Sequence, residues 1–134
     1  MTARKEGSVL RVQVTGERTR QAIEAVAREI MEACAQAGAR KLLIDVREFL
    51  GTLPLIDNYE VPSKEFPKLP HLDLLAASAV VDNPVNDKRF AFFEDVARGQ
   101  GYNLRIFGSL ESATRWLAAQ HEGGPEQPLG PGNR

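Results

Sequence analysis

Three short clusters of functional side chains stand at the ends of apolar runs in this chain: Asp45 with Arg47, Asp82 with Asn83, and Phe107 with Ser109. If the runs are parallel strands, all three clusters fall at the carboxyl edge of one sheet, where open α/β sheets bind ligands. A carboxylate, a guanidinium, an amide and a hydroxyl gathered there would ring a polar mouth above an apolar pocket. Such a mouth would hold a small molecule. The plainer alternative is local: Asp45 and Asp82 cap neighbouring backbone N–H groups, and Asn83 shapes its turn.

The other reactive side chains do not form a constellation. Cys34 lies on an apolar helical stripe and reads as a small buried hydrophobe, since nothing near it would lower a thiol pKa. As the one cysteine in the chain, it has no partner for an intrachain disulfide. His71 and His121 are far apart and fit no metal-ligand spacing. There is no Gly-x-Ser-x-Gly elbow, no Gly-rich phosphate loop and no His-Glu-x-x-His. The sequence therefore assigns no catalytic residue, no metal and no cofactor. Phe107 and Trp116 read more simply as core.

The elements that position these residues follow from periodicity. Residues 9–15 alternate, with Leu10, Val12 and Val14 on one face, so they predict a strand with one buried side. Thr19 can cap a helix over residues 20–37, whose apolar positions Ile23, Val26, Ile30, Cys34 and Ala37 recur at spacings of three and four. Gly38 is its expected left-handed stop. Residues 42–46 are apolar except for Asp45, as in a strand buried on both faces. Strand, helix and strand make a βαβ unit.

Residues 76–81 form another small-residue strand, followed by an Asn83-Pro84 turn. Phe90, Phe93 and Val96 mark a helix stopped by Gly99 and Gly101. Residues 104–107 form a further strand, and Ser109 caps a last helix with Glu111 in its first turn. The order β-α-β-(α)-β-α-β-α predicts a single α/β domain with a parallel or mixed sheet of four to five strands. Its expected bounds are residues 8–120, with a polar arm at 1–7 and a disordered Gly/Pro-rich tail at 121–134.

Residues 53–70 carry Pro54, Pro62, Pro67 and Pro70 among Leu53, Leu55, Ile56, Val61 and Phe66. Pro54 can open a short helix, and Val61-Pro62 should end or kink it. The segment reads as a flap over a pocket, a dimer surface, or a kinked core element.

Composition narrows the function classes. Of 134 residues, 43% are hydrophobic and 26% charged, as in ordinary globular domains. The formal net charge of −1 does not suit a nucleic-acid binder, which needs clustered Lys and Arg. No apolar run approaches the roughly 18 residues of a membrane span. Met1 to Gly7 is polar and does not read as a secretory signal, so the expected location is the cytoplasm.

Four stretches resemble the SpoIIAA-like proteins, which have the STAS fold and are related in architecture to CRAL-TRIO lipid-binding domains. They are "VLRVQVTG" from Val9, "KLLIDVREFLG" from Lys41, "ASAVVDNP" from Ala77 and "RFAFFEDVARGQGYNLRIFGSLESATRWL" from Arg89. Together they cover roughly residues 8–118. STAS regulators acting on anti-sigma factors carry an Asp-Ser-Ser-Gly-type motif after the equivalent of "LLIDV", and its serine is phosphorylated. Here that place holds Phe49-Leu50-Gly51-Thr52-Leu53-Pro54. Thr52 is its one hydroxyl, and the motif itself is missing. The resemblance thus implies a fold and leaves function to the site. The expectation is a non-catalytic binding or regulatory module for a small apolar or amphipathic ligand, a protein partner or a second copy of the chain. The alternatives are a phospho-regulator using Thr52 and an enzyme of unknown class.

Overall fold

A computed structural model describes residues 1–83 and 87–121, with the backbone alone for residues 87–90. The tail expected over 121–134 lies, after His121, outside the described residues. The strands are β1 (Thr2–Glu6), β2 (Val9–Glu17), β3 (Lys41–Leu50), β4 (Ala77–Val81) and β5 (Leu104–Phe107). The helices are α1 (Arg20–Ala37), α2 (Leu55–Glu60), α3 (Asp87–Gly99) and α4 (Leu110–Ala118). The five strands form one sheet in the order β1-β2-β3-β4-β5, with β1 antiparallel to β2 and every other pair parallel. The mixed α/β sheet expected from the sequence is present.

Residues 1–7, read as an arm, hold the edge strand. Thr-Ala-Arg-Lys-Glu has no apolar alternation, and all five residues are exposed. The strand exists because β2 offers an unpaired edge, on which Thr2 pairs opposite Gln13 and Glu6 opposite Val9. Charges on this edge discourage further strand addition.

α1 begins and ends as its sequence dictates. Thr19 Oγ1 accepts from the Ala22 N–H at 3.0 Å, and Gly38 closes the helix at φ 68°. The Gly38 N–H donates to Ala35 O, and the Ala39 N–H to Cys34 O. A Cβ on Gly38 would meet nothing within 4 Å, so a side chain there would strain the backbone alone. Gly38→Ala should therefore lower unfolding stability by about 1–2 kcal/mol in urea titration, the penalty for a left-handed non-glycine residue. A neutral result would show that the helix can end differently.

The pleat divides the core in two. Leu10, Val12, Val14 and Leu42 pack under Ile30 and Cys34 of α1. Leu43, Ala77, Ala79 and Val81 point the other way, onto Ala113 and Leu117 of α4. Between Gln13 and Thr15 the β2–β3 register shifts by one, so β3 carries an extra residue opposite that step. This bulge takes carbonyls off the ladder at the carboxyl edge.

The proline-rich segment is kinked but helical. α2 passes into a wide π-helical turn over Val61–Glu65 and then a tight turn over Phe66–Lys68. Pro62 has no N–H for a regular helix, and the widened turn accommodates it. Phe66 packs edge-on against Phe93 and Tyr102, with ring centroids 5.9 and 5.6 Å apart.

Candidate functional site

Beneath the proline-rich segment lies a cavity of about 200 Å³. Its floor is one face of three parallel strands: Leu42, Ile44 and Val46 of β3, Ser78 and Val80 of β4, and Leu104 and Ile106 of β5. Ile23, Val26 and Ile30 of α1 wall one side, and Phe93 of α3 lies against another. Leu53, Phe66, Leu69 and Leu72 form the roof. Short side chains at Ala27, Ser78 and Val80 leave space that larger residues would fill.

The carboxyl edge of the sheet closes one end with an ion pair. Arg18, just past β2, donates to both carboxylate oxygens of Asp82, just past β4, at 2.7 and 3.1 Å. The same guanidinium donates to the carbonyls of Phe49 and Val46 at 3.0 Å each. Its cation lies 5.4 Å from the centre of the Phe49 ring. The β3 bulge presents the Val46 carbonyl to Arg18 and the Arg47 carbonyl to the Asn83 amide, 3.1 Å away. Both partners of the pair are largely buried, with side chains 13% and 7% exposed.

The six residues expected to form a ring do not converge. Asp82 lines the cavity. Asp45 alternates with Ile44 and Val46, so the pleat turns it to the opposite face. There it takes two bonds from the Arg47 side chain, which hold its carboxyl below the usual range. Asn83 ties the β4 edge to β3. Phe107 alternates with Ile106 and packs on Trp116 at 5.6 Å, on the α4 side. Ser109 caps α4 by accepting from the Ser112 N–H. Thr52 is exposed and borders the cavity. Cys34 is buried in the core, where loss of solvent pushes its thiol up to about 11. Among the described residues, no three of His, Cys, Asp and Glu gather as a metal site, and no helix is long and apolar enough to cross a membrane.

Three polar lining residues were not singled out from the sequence: Arg18, Asn58 and Ser78. Arg18 follows the first apolar strand as Asp82 follows the third, so the carboxyl-edge rule reaches it equally. Asn58 is buried, and its amide donates to the Leu53 and Pro54 carbonyls, which holds the roof's first turn. Ser78 is hidden in an apolar strand, and only alternation marks its face.

A second arginine fastens the roof to α1. Arg20 bonds Asp57 at 3.1 Å, Glu60 at 2.6 Å and Glu65 at 2.9 Å, and also meets Glu24 on its own helix. These contacts hold the Glu60 and Glu65 carboxyls below their ordinary range. A depressed carboxyl pKa gives a contribution that is full above the unfolded value, about 4.3 for Glu. It is lost as the pH falls through the lower folded value. The roof should thus stay fastened from neutral pH to about pH 5 and loosen below about pH 4. Amide exchange across residues 55–68 checks this. It should accelerate in acid relative to β3, and Arg20→Gln should produce the same acceleration at pH 7. Uniform exchange in both tests would remove Arg20 as the fastener.

Among curated proteins, none significantly matches the chain. Among solved structures, the crystal structure of an anti-sigma factor antagonist from Mycobacterium paratuberculosis is similar, with a TM-score of 0.55 at 16% sequence identity. The match covers 87% of this chain and 92% of that one, and it shows a shared STAS-like fold. Residues 9–118 match the SpoIIAA-like family model, which spans β2 through α4 and every element around the cavity. The chain belongs to the SpoIIAA-like family.

Proposed function

We propose that the chain is a non-catalytic binding module that takes a small apolar or amphipathic molecule beneath residues 53–72. The observation carrying this reading is the cavity itself: about 200 Å³ of space under a roof fastened by side-chain contacts. Close packing is the rule in interiors, so space on this scale under residues 53–72 is a natural ligand site. Of the six candidate residues, Asp82 belongs to this reading. Arg18, its partner, joins it. Native mass spectrometry of freshly purified protein tests the proposal. The expected spectrum carries a reproducible added mass that is lost on denaturation, or gains one when toluene is supplied. A clean mass unmoved by toluene would defeat it.

A second reading has its own support. Leu50 at the end of β3 and Leu55, Ile56 and Tyr59 of α2 are 60%, 63%, 59% and 45% exposed and lie close together in sequence. Exposed apolar groups clustered along the chain suit a protein partner or a second copy of the chain. The likeness to an anti-sigma factor antagonist is consistent with a regulatory role of this kind. Thr52 lies within this stretch, where a phosphate would add nearly two negative charges beside the apolar groups. Leu55→Lys and Thr52→Glu should then both abolish partner co-purification, while a change inside the cavity leaves it intact. Co-purification indifferent to both changes would remove this reading.

A further inference from the structure

The cavity's polar groups define the class of molecule it would accept. Arg18 and Asp82 are the charged residues lining it among the described residues. They are bonded to each other twice, and four of the five N–H groups a guanidinium carries are taken by Asp82, Phe49 and Val46. Asp82 Oδ1 also accepts from the Asn83 N–H at 2.7 Å. The pair therefore offers no free charge to a carboxylate or an ammonium. Either ion would lose its hydration on entering and, among the described residues, gain no opposite charge in return.

Among the described residues, one polar group on the floor has no hydrogen-bond partner. Ser78 is 9% exposed, its residue lines the cavity, and its hydroxyl has no hydrogen-bond partner among the described residues. Its backbone N–H is bonded to Asn103 O, so the hydroxyl alone is left over. Buried hydroxyls without partners are uncommon, because desolvation is uncompensated. Alternation along β4 puts Ser78 on the same face as Val80 and Asp82, facing the space and not α4. A hydroxyl both donates and accepts.

We infer that the cavity takes an uncharged, short amphiphile whose hydroxyl or carbonyl group bonds Ser78 while its hydrocarbon part lies against Ile44, Val80 and Ile106. The inference rests on the ligand-binding reading above. The space of about 200 Å³ holds roughly seven groups of water size, at about 30 Å³ each. A chain of about seven carbons fills it, and a long-chain lipid exceeds it.

Titrations at pH 7 with heptan-1-ol, heptanoate, heptylammonium and toluene, followed by amide NMR shifts of cavity residues, test this. Heptan-1-ol and toluene should bind saturably, with heptanoate and heptylammonium at least about tenfold weaker. Ser78→Ala should weaken heptan-1-ol by about three- to tenfold, as for loss of one neutral hydrogen bond, and leave toluene unchanged. Heptanoate or heptylammonium binding as tightly as the alcohol would overturn the neutral class while the binding reading stands. An alcohol affinity unaffected by Ser78→Ala would overturn the Ser78 anchor. Failure of all four probes, toluene included, would defeat the binding reading itself and this inference with it.

Discussion

Arg18→Met should lower the unfolding free energy by about 3–5 kcal/mol, measured by urea denaturation. The substitution leaves the Asp82 carboxylate buried, with the Asn83 N–H as its one remaining donor among the described residues. It also strips two carbonyl acceptors, Val46 and Phe49, of their guanidinium partner. Breaking a buried pair from one side is far worse than removing both partners, because the cost is the uncompensated charge. Arg18→Met with Asp82→Leu should therefore regain most of the loss, leaving about 1 kcal/mol for the bond to Asn83. The double-variant cycle gives the coupling directly. A single-variant cost below about 1 kcal/mol would mean the pair behaves as a screened surface contact.

Two adjacent residues of β4 should respond in opposite ways to the same change. Val80 faces the cavity between Ile44 and Ile106, its register partners on β3 and β5. Ala79 is 0% exposed and packs against α4. A phenylalanine at 80 can lie in space already present, so Val80→Phe should keep stability within about 1 kcal/mol of the parent. At 79 the ring must displace Ala113 or Leu117, and Ala79→Phe should cost about 3 kcal/mol or more. Val80→Phe should also abolish toluene and heptan-1-ol binding, a loss of at least about tenfold, because the ring takes the ligand's place. Urea denaturation and the same NMR titrations read both effects. Equal destabilisation at the two positions would show that no usable space lies over Val80. Retained binding in Val80→Phe would move the ligand elsewhere.

The core and the α1 wall of the site were legible wherever a local pattern reports on burial. Leu10, Val12 and Val14 on alternate positions, the three-and-four spacing of Ile23, Val26, Ile30 and Cys34, and the Thr19 and Gly38 signals each depend on neighbours within a few residues. β1 was not legible, since its strand comes from pairing with β2 and not from its own polar sequence. The widened turn at Pro62 lay between the two expected outcomes, an end or a kink, because packing of Val61 and Phe66 decides whether a helical run survives a proline.

The chain's own sequence determined that this is one STAS-like α/β domain, which strands are apolar on which positions, and that its proline-rich segment is irregular. It also placed Asp82 at a strand's carboxyl end. Tertiary structure alone decided that Asp82 meets Arg18 across 64 positions of chain, that Asp45 turns away, and that Ser78 faces open space. The physical reason is the pleat and the bulge. Alternation tells which residues share a face, but the face each strand presents depends on its register against its neighbours. One extra residue in β3 re-aims the carbonyls that hold Arg18.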